Sequence, residues 1–266
     1  GVPTMFHDLA ENPAFATTDF GNLRRIVSGG APCPEPLYAR YAARGLLLRN
    51  GYGLTEAGPN TFDMAAEEVP LPHRRGAVGF PLFGIRTRIS RDDGSEAPRG
   101  EPGELWIGGM HLFGGYDGRP AETEAAFCTD SFGTRWLKTG DLAICEPDGC
   151  HRIVGRKKEI YISGGENIFP LEIETILLAH PAIAEAAVVA VADEKWGEVG
   201  AAFVAGRPEL AALGDLAAAL TEYCRAHLAR YKVPKQFHVL STLPRTGAGK
   251  IDKPALRRLV TGAPPA

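Results

Sequence analysis

Two short apolar strands, each running straight into a polar glycine loop and separated by a single helix, constrain this chain more than any other stretch. Residues 23–27 read as the first strand, which stops in Ser28-Gly29-Gly30-Ala31-Pro32. A helix is expected over 34–44 with Gly45 as its stop, and a second strand over 46–48 leads into Asn50-Gly51-Tyr52-Gly53-Leu54-Thr55-Glu56. With a right-handed crossover the strands lie parallel, so both loops open at the same carboxyl edge, where open α/β sheets bind ligands. There Tyr52 can cover the face of a base, Thr55 can donate to a phosphate oxygen and Glu56 can hold a hard cation such as Mg²⁺. Each residue also has a local reading, as a packed turn tyrosine, a helix N-cap and a surface glutamate.

A second organising stretch runs from Gly155 to Glu174. It opens on Arg156-Lys157-Lys158, passes through a strand at Ile160-Tyr161-Ile162, and turns on Ser163-Gly164-Gly165-Glu166-Asn167 into a helix begun by Pro170. Paired glycines remove two Cβ atoms where a backbone approaches something closely. Between the two stretches, residues 74–104 read as turns and short strands, a short helix is expected over 121–127, and 142–146 pairs with 150–154 as a hairpin around Pro147-Asp148-Gly149. Asp141 opens that hairpin, either to accept hydrogen bonds from sugar hydroxyls or as a simple turn aspartate. Beyond Lys158 the pattern is a compact α+β module. Ile173, Ile176 and Leu177 mark one helix face, strands are expected within 183–192 and 201–205, and Leu216, Leu220, Tyr223 and Leu228 mark another helix. A strand over 237–240, a polar loop ending in Gly249-Lys250 and a helix over 254–259 complete it. That loop is not a P-loop, because Ile251 follows the lysine and Pro244 stands where the first glycine is needed. Lys250 remains a charged donor able to meet an anion.

Composition excludes some partners. A formal net charge of −3, with basic residues scattered, leaves no footprint for nucleic acid. The most apolar run, 182–192, is too short for a membrane span and holds Glu185. The N-terminus has no signal pattern, and the five cysteines at 33, 128, 145, 150 and 224 have no zinc-like spacing, so free thiols and a cytoplasmic location are expected.

Taken together, Ser28-Gly-Gly-Ala-Pro32, Tyr52-Gly-Leu-Thr-Glu56, Lys138-Thr-Gly-Asp141, Gly155-Arg-Lys-Lys158, Ser163-Gly-Gly-Glu-Asn-Ile168, Tyr231-Lys-Val-Pro234 and Leu243-Pro-Arg-Thr-Gly-Ala-Gly-Lys250 resemble the adenylate-forming superfamily. That superfamily holds acyl-CoA synthetases, nonribosomal peptide adenylation domains and firefly luciferase. The resemblance implies an α/β plus α+β fold: the C-terminal part of a large AMP-binding domain at 1–157, a small mobile lid domain at 158–262 and a tail at 263–266. It implies an ATP-dependent carboxylate–CoA ligase working through acyl-AMP. By the same resemblance Gly29, Gly30, Ala31, Pro32 and Tyr52 would hold adenine, Asn50, Gly51 and Gly53 would also bind the nucleotide, and Asp141 and Arg156 would hold the ribose. Thr55 would meet the α-phosphate, Glu56 the Mg²⁺, and Lys250 the charge developing in adenylation. Lys158 falls at the hinge, and Ser163, Gly164, Gly165, Glu166, Trp196 and Tyr231 fall along the CoA path. The Ser-Gly-Gly-Glu-Asn-Ile form resembles acyl-CoA synthetases and favours CoA as acceptor. The loop that cradles the β- and γ-phosphates lies upstream in the family and has no counterpart here, so the expectation is the C-terminal half of a longer ligase. Loading of a carrier protein, and a truncated binder of AMP or acyl-CoA, are the alternatives; the residues do not name the acid.

Overall fold

The computed structural model describes residues 1–31, 33–206, 215–247 and 249–262. Pro32, one of the expected adenine contacts, and the tail at 263–266 lie outside the described residues. The chain forms two compact units, Gly1–Val154 and Gly155–Ala266.

In the first unit, α1 (Pro3–Glu11) precedes β1 (Ile26–Gly29), α2 (Glu35–Ala42) and β2 (Leu48–Gly51). β1 and β2 pair in parallel, with Ile26 opposite Leu48 and Gly29 opposite Gly51. Both strands lie further along the chain than the pattern predicts. The ladder runs on through Ser28-Gly29 and Asn50-Gly51, so Gly29 and Gly51 belong to the sheet and not to the loops after it. α2 turns Leu37 and Tyr41 onto Ile26, Leu46, Leu48 and Ala10 of α1. Each such leucine contributes about 1.5–3 kcal/mol by leaving water.

The rest of this unit is antiparallel. β3 (Phe62–Asp63) pairs with β4 (Phe80–Pro81), and β5 (Arg86–Ser90), β6 (Pro102–Gly108), α3 (Pro120–Ala126), β7 (Phe127–Thr129), β8 (Arg135–Cys145) and β9 (His151–Arg156) follow. Their sheet has the order β5-β6-β8-β7, with β9 also on β8, around Phe62, Val78, Ile89, Leu105, Ile107 and Leu137. The expected hairpin at Pro147-Asp148-Gly149 is present. Asp148 Oδ1 accepts the Cys150 N–H at 3.1 Å, and Oδ2 accepts from Arg74 Nη2 at 2.5 Å. The Arg74 bond is the main reason the Asp148 carboxyl is held down at about 2, below its ordinary 3.8. A depressed carboxylate stabilises the fold above its unfolded pKa and loses that contribution as pH falls through the folded one. NMR titration of Asp148 should therefore give a midpoint near 2, with the 146–151 turn loosening between about pH 4 and pH 2; a midpoint near 3.8 would mean Arg74 does not hold it.

In the second unit, β10 (Tyr161–Ser163) and β11 (Glu166–Ile168) precede α4 (Pro170–Ala179), β12 (Ile183–Asp193), β13 (Gly197–Gly206), α5 (Leu216–His227), β14 (Gln236–Leu240) and α6 (Lys253–Thr261). The sheet has the order β11-β10-β13-β12, and β14 joins β13 in parallel. β12 is apolar on both faces, which is why it reads as a continuous run and not as an alternation. Val188 and Ala190 pack with Ile173, Leu177 and Leu220, whereas Ala187, Val189 and Val191 pack with Leu243 and Leu256. One face thus carries α4 and α5, and the other carries α6.

Among the described residues no helix is long and apolar enough to cross a membrane, and no group of three His, Cys, Asp or Glu side chains could hold a metal. All five cysteines are free, and Cys150 and Cys224 are buried. His151 beside Cys150 is committed elsewhere: Nδ1 is 2.9 Å from the Gly149 carbonyl, and burial lowers its pKa.

Candidate functional site

The loop after β2 folds back tightly on itself. Leu54 N–H donates to the Gly58 carbonyl at 3.1 Å, and Thr61 N–H donates to the Tyr52 carbonyl at 2.8 Å. This reversal brings Gly53 against its neighbours so closely that a Cβ there would lie 2.4 Å from the Gly58 and Pro59 carbonyl oxygens. The fold-back leaves Thr55 exposed and Glu56 half-buried. Tyr52 packs its ring edge on Phe62, with centroids 5.8 Å apart, and its hydroxyl donates to Asp141 Oδ2 at 2.7 Å. Two residues 89 positions apart, both singled out from the sequence, are therefore joined. Asn50 is turned to a structural task, its amide donating to the Gly76 carbonyl at 3.2 Å.

Asp141 does not open a hairpin, as its place after Gly140 implies. It sits inside β8, buried, where the β6–β8 register slips between Glu104 and Trp106. Thr139 Oγ1 donates to the Leu105 carbonyl at 2.7 Å and the Gly140 N–H donates to Glu104 Oε1 at 3.1 Å. These bonds hold the irregularity open and aim the Asp141 carboxylate at Tyr52. Irregular pairing of this kind commonly re-aims a side chain at a functional site.

Glu56 has a partner that sequence reasoning missed. Tyr116 donates its hydroxyl to Glu56 Oε1 at 2.7 Å, and the Phe113 N–H donates to the Glu56 carbonyl at 2.9 Å. The Glu56 carboxylate raises the Tyr116 phenol above its ordinary pKa. The only sequence signal was the glycine-rich run Gly114-Gly115-Tyr116. A single oriented carboxylate fits an Mg²⁺ carried by a nucleotide, since phosphates and water supply most of such a cation's ligands.

In the second unit, Ser163 to Ile168 is not a loop that feeds a helix. Ser163 pairs with Glu166 and Tyr161 with Ile168, leaving Gly164 and Gly165 as a two-residue hairpin turn with φ of +60° and +89°. Glycine is needed at Gly164 for space as well, because a Cβ there would lie 2.8 Å from Trp196 Cε3. The Gly164 N–H also donates to the Trp196 carbonyl at 2.9 Å. Trp196 is 40% exposed over this turn, with Lys195 Nζ 5.0 Å and Lys235 Nζ 5.8 Å from its ring. Those two lysines are further residues that sequence reasoning did not pick out. Ser163 is buried, Glu166 is exposed and Tyr231 is exposed beside Lys232. Arg156 and Lys158 are exposed at the start of the unit.

Lys250 is exposed at the end of a short closed loop. Thr246 N–H donates to the Lys250 carbonyl at 2.7 Å, and Arg245 bridges backbone to Ile251 while its guanidinium bonds the Gly249 carbonyl and pairs with Glu185 of β12. The lysine thus projects from an anchored base.

The description of AMP-binding enzymes matches residues 1–117, and that of the AMP-binding enzyme C-terminal domain matches residues 172–250. The chain belongs to the AMP-binding enzyme family. Among relatives in this family, a feruloyl-CoA synthase of Amycolatopsis sp is 39% identical over 97% of this chain and 50% of its own length. The solved o-succinylbenzoate CoA synthetase MenE of Bacillus subtilis, in complex with the acyl-adenylate OSB-AMP, is 35% identical with a TM-score of 0.84, covering 99% of this chain and 50% of MenE. MenE has also been solved with ATP and a magnesium ion. The amide bond synthetase McbA of Marinactinospora thermotolerans is 30% identical with a TM-score of 0.85, covering 98% of this chain and 51% of McbA. The chain spans about half the length of these AMP-binding relatives.

Proposed function

We propose that this chain is part of an ATP-dependent carboxylate–CoA ligase, supplying the AMP-facing loop and a small lid domain that begins near Lys158. The observation that carries the reading is the Tyr52-to-Glu56 loop tied to Asp141 by the Tyr52 hydroxyl. It puts an aromatic ring, an exposed hydroxyl and two oriented carboxylates in one unit, which is what a nucleotide monophosphate and its cation require.

In the first step a carboxylate oxygen attacks the α-phosphorus of ATP, the bond to the β-phosphate oxygen breaks, and pyrophosphate leaves. Gly29, Gly30, Ala31, Gly51, Tyr52 and Gly53 surround the adenine, Asp141 and Arg156 hold the ribose hydroxyls, and Thr55 donates to the α-phosphate. Glu56, oriented by Tyr116, would hold an Mg²⁺ whose charge would neutralise that of the phosphates. Lys250 stabilises charge that develops between carboxylate and α-phosphate. In the second step the CoA sulfur attacks the acyl carbon and AMP leaves, with pantetheine passing the Gly164-Gly165 turn beside Ser163, Glu166 and Tyr231. Trp196, with Lys195 and Lys235 over its ring, offers a stacking surface with positive charge for the nucleotide end of CoA. Rotation at Lys158 is the proposed switch between steps. Five unpaired cysteines agree with a reducing, cytoplasmic setting.

The test supplies preformed fatty, aryl and short-chain acyl-adenylates to the ligase carrying this sequence together with the upstream half its relatives possess. Thioester formation with free CoA is the expected result. Turnover only with a pantetheinylated carrier protein, or only with an amine, the acceptor that the McbA likeness brings in, would reassign the second step.

A further inference from the structure

The second unit holds a partly buried charge cluster that neither proposed step uses, with the Glu159 side chain 30% exposed. Lys253 lies three residues beyond Lys250, at the first position of α6. Its Nζ is 2.5 Å from Glu159 Oε2 and 2.8 Å from Glu174 Oε1. The Lys253 and Glu174 side chains are only 21% and 10% exposed. Glu174, on α4, also accepts the N–H of Val188 on β12 at 2.8 Å. One ammonium therefore joins α6, α4 and the short turn Lys157–Glu159, which carries Lys158.

Burial pushes the Lys253 ammonium toward the neutral form, but Glu174 and Glu159 outweigh that and raise its pKa, whereas burial outweighs Lys253 at Glu174 and raises that carboxyl. The ammonium stays charged at neutral pH. Buried clusters of this sort contribute little net stability, because desolvation of the charges offsets their attraction, and apolar residues of similar volume often do as well. What a charge cluster supplies that an apolar one does not is direction. Nζ fixes where Glu159 and the start of α6 must lie, and the start of α6 is the base of the Lys250 loop. The loop's other end is fixed by Arg245 on Glu185, and the Asp252 N–H donates to the Pro244 carbonyl at 2.8 Å.

We propose that the Glu159–Lys253 contact is a strut between the turn bearing Lys158 and the loop bearing Lys250, which makes Glu159 and Lys253 positioning residues for adenylation. Rotation at Lys158 is then transmitted to the Lys250 loop without lag. The inference rests on the roles proposed above for Lys158 and Lys250.

Glu159→Gln tests it, since glutamine keeps the shape and leaves Lys253 paired with Glu174. Native-state hydrogen exchange on this chain should show residues 156–160 and 249–253 exchanging about tenfold faster, with α4, β12 and β13 unchanged. Faster exchange spread evenly through β12 and β13 would mark an ordinary stabilising pair and overturn the proposal, as would unchanged exchange in 249–253. In the complete ligase the same variant should lower kcat for adenylate formation with KM for ATP unchanged, while thioester formation from supplied acyl-adenylate persists. An equal fall in both steps would overturn the positioning role. The exchange result needs no catalysis, so it decides the strut even if Lys250 proves to have another task.

Discussion

Replacing Lys250 with alanine in the complete ligase is expected to slow adenylate formation by about 10²- to 10³-fold, the loss typical of one donor aimed at developing charge. Conversion of preformed acyl-adenylate to thioester should be nearly unchanged, because that step develops its charge at the acyl carbonyl. The side chain is exposed and the loop is closed by Thr246, Arg245 and Ile251, so the variant should fold with its stability within about 0.5 kcal/mol of the parent. Separate assays of the two half-reactions decide the matter: equal damage to both removes the assigned role. Lys250→Arg keeps the charge but replaces a point donor with a planar fork, and should restore only part of the rate.

Gly53→Ala should have the other large effect, through the backbone. Its new Cβ would lie 2.4 Å from the Gly58 and Pro59 carbonyl oxygens, and backbone cannot yield as a flexible side-chain end can. The fold-back must open, which separates the Tyr52 hydroxyl from Asp141 and shifts Thr55 and Glu56. Overpacking of this kind costs about 1–3 kcal/mol. Calorimetric AMP affinity should drop about tenfold or more, since each 1.4 kcal/mol lost in binding is about a factor of ten. Parent-like AMP affinity in this variant would show that the loop does not hold the nucleotide.

The parts of the fold that the sequence displays are those governed by local rules. Ile173 and Leu177 on α4, and Leu220 and Leu228 at α5, follow the helix periodicity read from the sequence and pack into one core. The Gly164-Gly165 turn was visible as a turn, but Glu166 and Asn167, two polar residues ahead of Pro170, read as the approach to a helix. Their place as a return strand is set by positive φ at both glycines and by pairing with Ser163 and Ile162. Asp141 was misplaced for a related reason. Lys138-Thr139-Gly140 has the composition of a turn, and what keeps it in a strand comes from Glu104 and Leu105, more than thirty positions away. Contacts such as Tyr116 to Glu56 and Lys253 to Glu159, separated by 60 and 94 positions, leave no local pattern at all.

The free cysteines bear on chemoselectivity. An acyl-adenylate reacts with any accessible thiolate, so an enzyme that makes one is exposed to acylating itself. Burial raises the pKa of all five thiols here, Cys33 and Cys224 to about 11. Each is thereby held in the thiol form more firmly than a free cysteine, and the thiol form is a poor nucleophile. In the ligase proposed above, these thiols would therefore compete poorly for the acyl group, which would be left for the acceptor that arrives from outside.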